Sequence, residues 1–156
     1  MRFVVDVMLG KLARWLRILG YDTIYQPDFS DDDLFFCSYL ENRMLLTRDR
    51  ALAGRMHKDR VLLLNDTDLK SQLIEVVQCF DLKTEGLVFS RCTICNQKIT
   101  PVEKAVVADR VPAYIFDTIC QFYYCQNCDK VYWEGSHLQH AKQFLKKLKG
   151  RNGEQK

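Results

Sequence analysis

Residues 91–137 read RCTICNQKITPVEKAVVADRVPAYIFDTICQFYYCQNCDKVYWEGSH, and this stretch divides the chain. It holds two thiol pairs, Cys92-Thr-Ile-Cys95 and Cys125-Gln-Asn-Cys128. A spacing of two lets one tight turn bring both sulfurs of a pair to a single ion. Two pairs supply four soft ligands, the number a tetrahedral zinc site takes. With Cys92, Cys95, Cys125 and Cys128 all bound, no coordination position is left for a substrate, so such a zinc holds structure. The spacing also fits iron in the same cage, or two unrelated buried pairs. Twenty-nine residues lie between Cys95 and Cys125, enough for a small subdomain. Phe122–Cys125 and Lys130–Trp133 read as a hairpin around the second pair. Thr100-Pro-Val102 and Val106 to Val111 read as strand-like or irregular pieces, and a last helix is expected over His137–Leu148. The aromatics Tyr123, Tyr124, Tyr132 and Trp133 serve equally as a miniature core or as platforms for exposed bases. His137 is read as a helix-start residue or a phosphate contact.

Upstream, the hydrophobic period alternates. Phe3-Val-Val5, Tyr21–Tyr25, Met44–Thr47 and Val61–Leu64 read as short buried strands. Between and after them, Leu9–Gly20, Asp31–Asn42, Ala51–Met56 and Asp68–Phe80 carry helical spacing. Ser30 and Asp33 form a capping box ahead of the second helix. Strands alternating with helices predict an α/β fold, a parallel sheet flanked by helices. Right-handed crossovers put all strand C-terminal ends on one edge, where open α/β sheets bind ligands. The division expected is residues 1–86 as the α/β domain, 87–149 as the zinc ribbon with its C-terminal helix, and 150–156 as a disordered tail.

Three acids share that edge: Asp6 after the first strand, Asp49 after the third and Asp66 after the fourth. Asp31, at the start of the second helix, can face the same way. Gathered carboxylates repel unless cations sit between them, and hard oxygen ligands with room for water suit Mg²⁺ or Mn²⁺. Plainer readings stand beside these: Asp6 as a turn former, Asp49 and Asp66 as helix caps, Asp31 as a stabiliser of the helix start. Asp28 is a further loop candidate, and Glu41 is read as a surface acid that reaches inward only if its helix flanks the cleft. Lys11, Arg14 and Arg17 form a positive ridge on the first helix, and Arg48 and Arg50 add to the same edge. They suit phosphate contacts or a solvated helix face.

Charge and cysteine usage agree with an intracellular nucleic-acid enzyme. The formal net charge is +3, split into −2 over residues 1–90 and +5 over residues 91–156. Seven cysteines in CxxC spacing fit a reducing compartment, so a cytoplasmic location is expected. Of the remaining thiols, Cys37 and Cys79 read as buried small hydrophobes and Cys120 as a spare ligand or a bystander. The start, Met1-Arg-Phe-Val-Val-Asp6, is not read as a signal peptide, and no stretch approaches the roughly 18 apolar residues of a membrane span. A Walker-type glycine loop and the paired-aspartate pattern of aspartyl phosphatases are both absent.

The ordered motifs resemble the Mut7-C family. They are Asp6…Gly10-Lys-Leu-Ala-Arg-Trp-Leu-Arg-Ile-Leu-Gly20-Tyr-Asp22, Leu46-Thr-Arg-Asp-Arg50, Phe89-Ser-Arg-Cys92-x-x-Cys95-Asn96, Val111-Pro112, and Cys125-x-x-Cys128 leading to Val131-Tyr-Trp-x-Gly-Ser-His137. The resemblance spans about residues 2–148. It implies a PIN-like ribonuclease domain with a zinc ribbon on its C-terminal side, cutting single-stranded RNA with divalent metal held by three or four acids. On it, Asp6 is similar to the first-strand acid, Asp49 to the acid after the third strand, and Asp31 or a neighbour to the acid of the second helix. Asp66 is the least direct match. The second-helix Glu of ordinary PIN domains has no match unless Glu41 takes that role. The rival function is a non-catalytic RNA-binding or protein-docking module with a relic acidic site. The oligomeric state is not legible in the sequence.

Overall fold

The computed structural model describes residues 1–84, 86, 88–136, 138–140, 142, 143 and 146. Strand β1 (Arg2–Val5) leads through a 3-10 turn, Val7–Leu9, into α1 (Gly10–Ile18). Then follow β2 (Asp22–Ile24), α2 (Asp31–Leu40), β3 (Met44–Thr47), α3 (Arg50–Arg55), β4 (Val61–Leu63) and α4 (Leu69–Cys79). The sheet order is β2-β1-β3-β4, and every pair is parallel.

The central strands β1 and β3 are buried on both faces and the edge strands β2 and β4 are partly buried, with the period of two that a pleat dictates. Phe3, Val5, Leu46 and Leu64 meet Leu12 and Leu16 of α1 and Leu73 and Val77 of α4. Val4 and Leu45 point the other way, onto Leu34 and Cys37 of α2 and Leu52 of α3. The register pairs Val5 with Leu46 and Thr47 with Leu63, which aligns the C-terminal ends of β1, β3 and β4. Gly10 belongs to the turn that follows β1: a Cβ there would stand 2.7 Å from the Tyr25 hydroxyl oxygen, which donates to the Val7 carbonyl. Close approach of Tyr25 to the backbone thus fixes how the chain leaves Asp6.

The second unit is a three-stranded antiparallel sheet, β5 (Thr100–Val102), β6 (Phe122–Cys125) and β7 (Lys130–Trp133), in that spatial order. Between β5 and β6 the chain makes a 3-10 turn, Lys104–Val107, and a short helix α5 (Ala113–Thr118). The strand-like reading of Val106 to Val111 is therefore corrected, because no partner strand faces it. Phe89, Tyr123 and Tyr132 pack against Trp15 and Ile18 of α1, and the Phe89 N–H donates to the Ile18 carbonyl. The ribbon thus docks on the C-terminal end of α1. Leu138 to His140 are helical, with Leu138 buried in the ribbon core. Of the expected last helix His137–Leu148, residues 137, 141, 144, 145, 147 and 148 lie outside the described residues, as does the tail 150–156. Cys37 is buried, but Cys79 is exposed at the end of α4, against its reading as a core residue.

Candidate functional site

The aligned strand ends form a rim. Asp6 is only 5% exposed. Its Oδ1 accepts from the Val7 N–H at 2.7 Å, and its Oδ2 accepts from the Thr47 hydroxyl at 2.5 Å. The same hydroxyl oxygen accepts from the Asp49 N–H at 2.9 Å. One side chain therefore ties the Asp6 carboxylate to the backbone of Asp49 across the β1–β3 pair. Among the described residues no cation forms an ion pair with Asp6. A buried carboxylate without a cationic neighbour is costly unless something offsets its charge.

Asp49 is at once a cap and a rim residue. Its Oδ1 accepts from the Ala51 and Leu52 N–H groups at 2.8 and 3.0 Å, opening α3. Asp66 lies past β4 on the same rim, exposed, with Oδ1 accepting from the Asp68 N–H at 3.0 Å. That bond, with the nearby Arg48 charge helping, holds the Asp66 carboxyl below the usual range. Asp31 stands at the start of α2 and pairs with Arg55 at 2.8 Å, both groups about half exposed. Glu41 is at the opposite end of α2, beside Arg43 at 2.8 Å and with its carbonyl bonded by Arg2, so it belongs to the far edge of the sheet. Glu41 is thus the surface acid it was read as, and only the inward alternative is set aside. Among the described residues these carboxylates do not close into a cage of three or more ligand atoms. Asp6, Asp49 and the Thr47 hydroxyl are the oxygen groups here that could hold a hard cation such as Mg²⁺ or Mn²⁺.

The basic residues separate. Lys11, Arg14 and Arg50 are exposed, and Arg48 is half-buried with its Nε shielded from water and without a hydrogen-bond partner. Arg17 does not belong to their ridge. It is 5% exposed, and its Nε donates to the Thr23 carbonyl at 2.9 Å. Its Nη1 donates to the carbonyls of Thr93 and Ile94 at 3.1 and 2.7 Å, inside the first thiol turn. Arg17 therefore clamps the ribbon to the α/β unit, and its reading as a nucleic-acid contact is corrected.

The thiols converge as their spacing requires. The sulfurs of Cys92, Cys95, Cys125 and Cys128 all lie within 4.8 Å of one another. Cys92 is fully buried, and burial opposes its ionisation. The Cys95 and Ile94 N–H groups and the Tyr132 hydroxyl nevertheless converge on the sulfur and bring this thiol down to about 6. Four thiols in this arrangement can bind zinc.

Two features of this region carried no sequence signal of their function. One is Thr47, a strand-end residue whose role shows only once β1 and β3 are side by side. The other is a polar network at the far edge. Asp22 accepts from Arg43 at 2.7 Å and from the Asn96 amide at 2.8 Å, while Arg91 stands 3.5 Å away. The Asn96 side-chain oxygen in turn accepts from the Thr23 N–H. Burial works to raise the Asp22 pKa, but the Arg43 and Asn96 hydrogen bonds and the two arginine charges outweigh it and hold the carboxyl below its ordinary value. Arg17, Asp22, Arg91 and Asn96, all within the family-like motifs, thus form the joint between the two units.

No helix among the described residues is long and apolar enough to cross a membrane. Comparison with curated proteins returns no match. A family model described as the Mut7-C RNAse domain matches residues 1–145. With a parallel α/β rim of aspartates, a four-thiol ribbon and a match over almost the whole length, the chain belongs to the Mut7-C family of ribonuclease-type domains.

Proposed function

We propose that the chain is a Mg²⁺- or Mn²⁺-dependent ribonuclease that hydrolyses phosphodiester bonds of single-stranded RNA at the rim between Asp6 and Asp49. The observation that carries this reading is the buried Asp6 carboxylate, without an ion pair among the described residues and tied through Thr47 to Asp49. Asp6 and Asp49 would hold the ion, with Asp66 and Asp31 at the margins of the same rim. The chemistry supplied at such a site is activation of a water and neutralisation of charge on the phosphoryl oxygens. Thr47 keeps one Asp6 oxygen oriented by donating to it, and it fixes the backbone that carries Asp49. Arg48, Lys11, Arg14 and Arg50 would add non-specific contacts to the RNA backbone. With water attacking phosphorus and the 3′ oxygen as the leaving group, the products would be a 5′-phosphate and a 3′-hydroxyl. Four reduced thiols binding zinc suit a cytoplasmic setting.

The Asp31–Arg55 pair, the Asp49 cap of α3 and the Asp66 bond from the Asp68 N–H, beside the true α4 cap Asp68, give local roles to three of the four acids, which favours the rival reading of a relic site used for binding. End-labelled single-stranded RNA and DNA, incubated with Mn²⁺, Mg²⁺ or EDTA, separate the two. The nuclease reading expects RNA cleavage that EDTA and Asp6→Asn both abolish. RNA binding without cleavage in either metal would replace it with the binding module.

A further inference from the structure

Helix α2 is apolar on both sides. Leu34 and Cys37 enter the core, while Phe36, Tyr39 and Leu40 on the outward side are 58%, 43% and 70% exposed. A one-layer helix ordinarily turns a polar face outward, and one that is apolar all round is normally covered. By contrast, the outward face of α1 is lined by Lys11 and Arg14.

The ends of this apolar stripe carry opposite charges. At its N-terminal end stands Asp32, one helical turn before Phe36 and exposed. Its neighbours are otherwise engaged, Asp31 with Arg55 and Asp33 in the capping box with Ser30. At its C-terminal end the Arg2 guanidinium donates to the Glu41 carbonyl, and Met1 is 57% exposed. A cleft of about 690 Å³ begins there, and its charged lining is Arg2, Arg43 and Arg60 against Glu41 and Asp59, which leaves this end net positive. The pattern is acid, then aromatic and aliphatic, then base. Turned end for end against itself, it matches: Phe36 meets Phe36, and Asp32 of each copy meets Arg2 of the other. Antiparallel helices also oppose their dipoles favourably, and a self-complementary patch is what a two-fold interface needs.

We propose that α2 is the interface of a homodimer in which two copies pack α2 against α2, antiparallel, centred on Phe36. This inference is independent of the nuclease reading. One helix face with the flanking Met1 and Arg2 falls below the ~800 Å² per partner of a standard interface, so the dimer is of the weak, concentration-dependent kind.

The test is sedimentation velocity of the full zinc-loaded chain over a concentration series up to about 100 μM, a range that reaches weak dimers. The wild type is expected to shift from monomer to dimer. Phe36→Glu is expected to remain monomeric throughout, with its circular dichroism and zinc content unchanged. Asp32→Arg and Arg2→Asp should each weaken dimerisation at least tenfold, and the double variant Asp32→Arg/Arg2→Asp should restore it, because each reversed charge again meets its opposite. That rescue also guards against a variant that merely misfolds. A wild type that stays monomeric would give the face to another occupant and overturn the proposal. A dimer indifferent to Phe36→Glu, or a double variant weaker than both singles, would overturn it as well.

Discussion

Replacing Arg17 by Met keeps the bulk of the side chain and removes its three donated hydrogen bonds. Those bonds run from a buried guanidinium to the carbonyls of Thr23, Thr93 and Ile94 at 2.9, 3.1 and 2.7 Å. A hydrogen bond involving a charged group contributes about 1.5–3 kcal/mol. The Thr23 carbonyl sits where Arg17 is buried, whereas the two in the thiol turn are partly reached by water and recover some solvation. A loss of about 3–4 kcal/mol follows, large for one substitution and traceable to orphaned buried acceptors. Lys would not rescue it, since a single ammonium cannot span three carbonyls held by a planar fork. Urea unfolding followed by tryptophan fluorescence reads this directly, because Trp15 packs against both the sheet core and the ribbon. The clamp assignment predicts a lower midpoint, faster release of zinc to a chromophoric chelator, and RNA affinity measured below the transition that is unchanged. A stability loss under about 1 kcal/mol, or weaker RNA binding at full stability, would refute the reasoning and return Arg17 to the phosphate ridge.

Asp49 carries two roles that one substitution separates: Asp49→Ser retains a capping oxygen and removes the carboxylate, so stability should change by less than about 1 kcal/mol while metal-dependent RNA cleavage is lost. Cleavage that survives in this variant would leave Asp49 only its cap. Asp22 has a folded pKa below its ordinary value, so it contributes stability that is full above the unfolded pKa and is lost as pH falls through the folded pKa. The gap in urea midpoint between wild type and Asp22→Asn should therefore be widest near neutrality and shrink below about pH 4; a gap independent of pH would remove the Arg43–Asn96 network from the account. Elemental analysis should find one zinc per chain, lost in Cys92→Ser, and stripping it with a strong chelator should quench ribbon structure reported by Trp133. A chain that keeps its near-ultraviolet dichroism without metal would contradict a structural zinc.

The sheet is readable because its strands are short apolar runs closed by Asp6, Thr47 and Asn65, and because Ser30 and Asp33 write a helix start that the structure reproduces on both sides of the capping box. The thiol quartet was equally plain, since spacing alone places paired sulfurs. The basic ridge was misread for a geometric reason. Three residues advance a helix by about 300°, so each step of Lys11, Arg14, Arg17 slips some 60° backward round the axis. Over two steps the ridge leaves solvent and enters the joint with the ribbon. Asp31 and Glu41 depend on Arg55 and Arg43, and nothing in the spacing of the chain announces those pairings. Thr47 was invisible because its two partners come from a strand 41 residues away and from its own turn. Helix α5 was missed because the run after Pro112 is short, with no residue of the described helix fully buried.

On the proposed function, Asp6 and Asp49 share one cation. Titration of Mn²⁺ into zinc-loaded chain, followed by electron paramagnetic resonance of the free ion, measures it most directly. The account predicts a site whose affinity falls at least about tenfold in Asp6→Asn and again in Asp49→Asn, since each removes one of its two charged ligands. Mn²⁺ binding unaffected by either substitution, or abolished by one and untouched by the other, would contradict it.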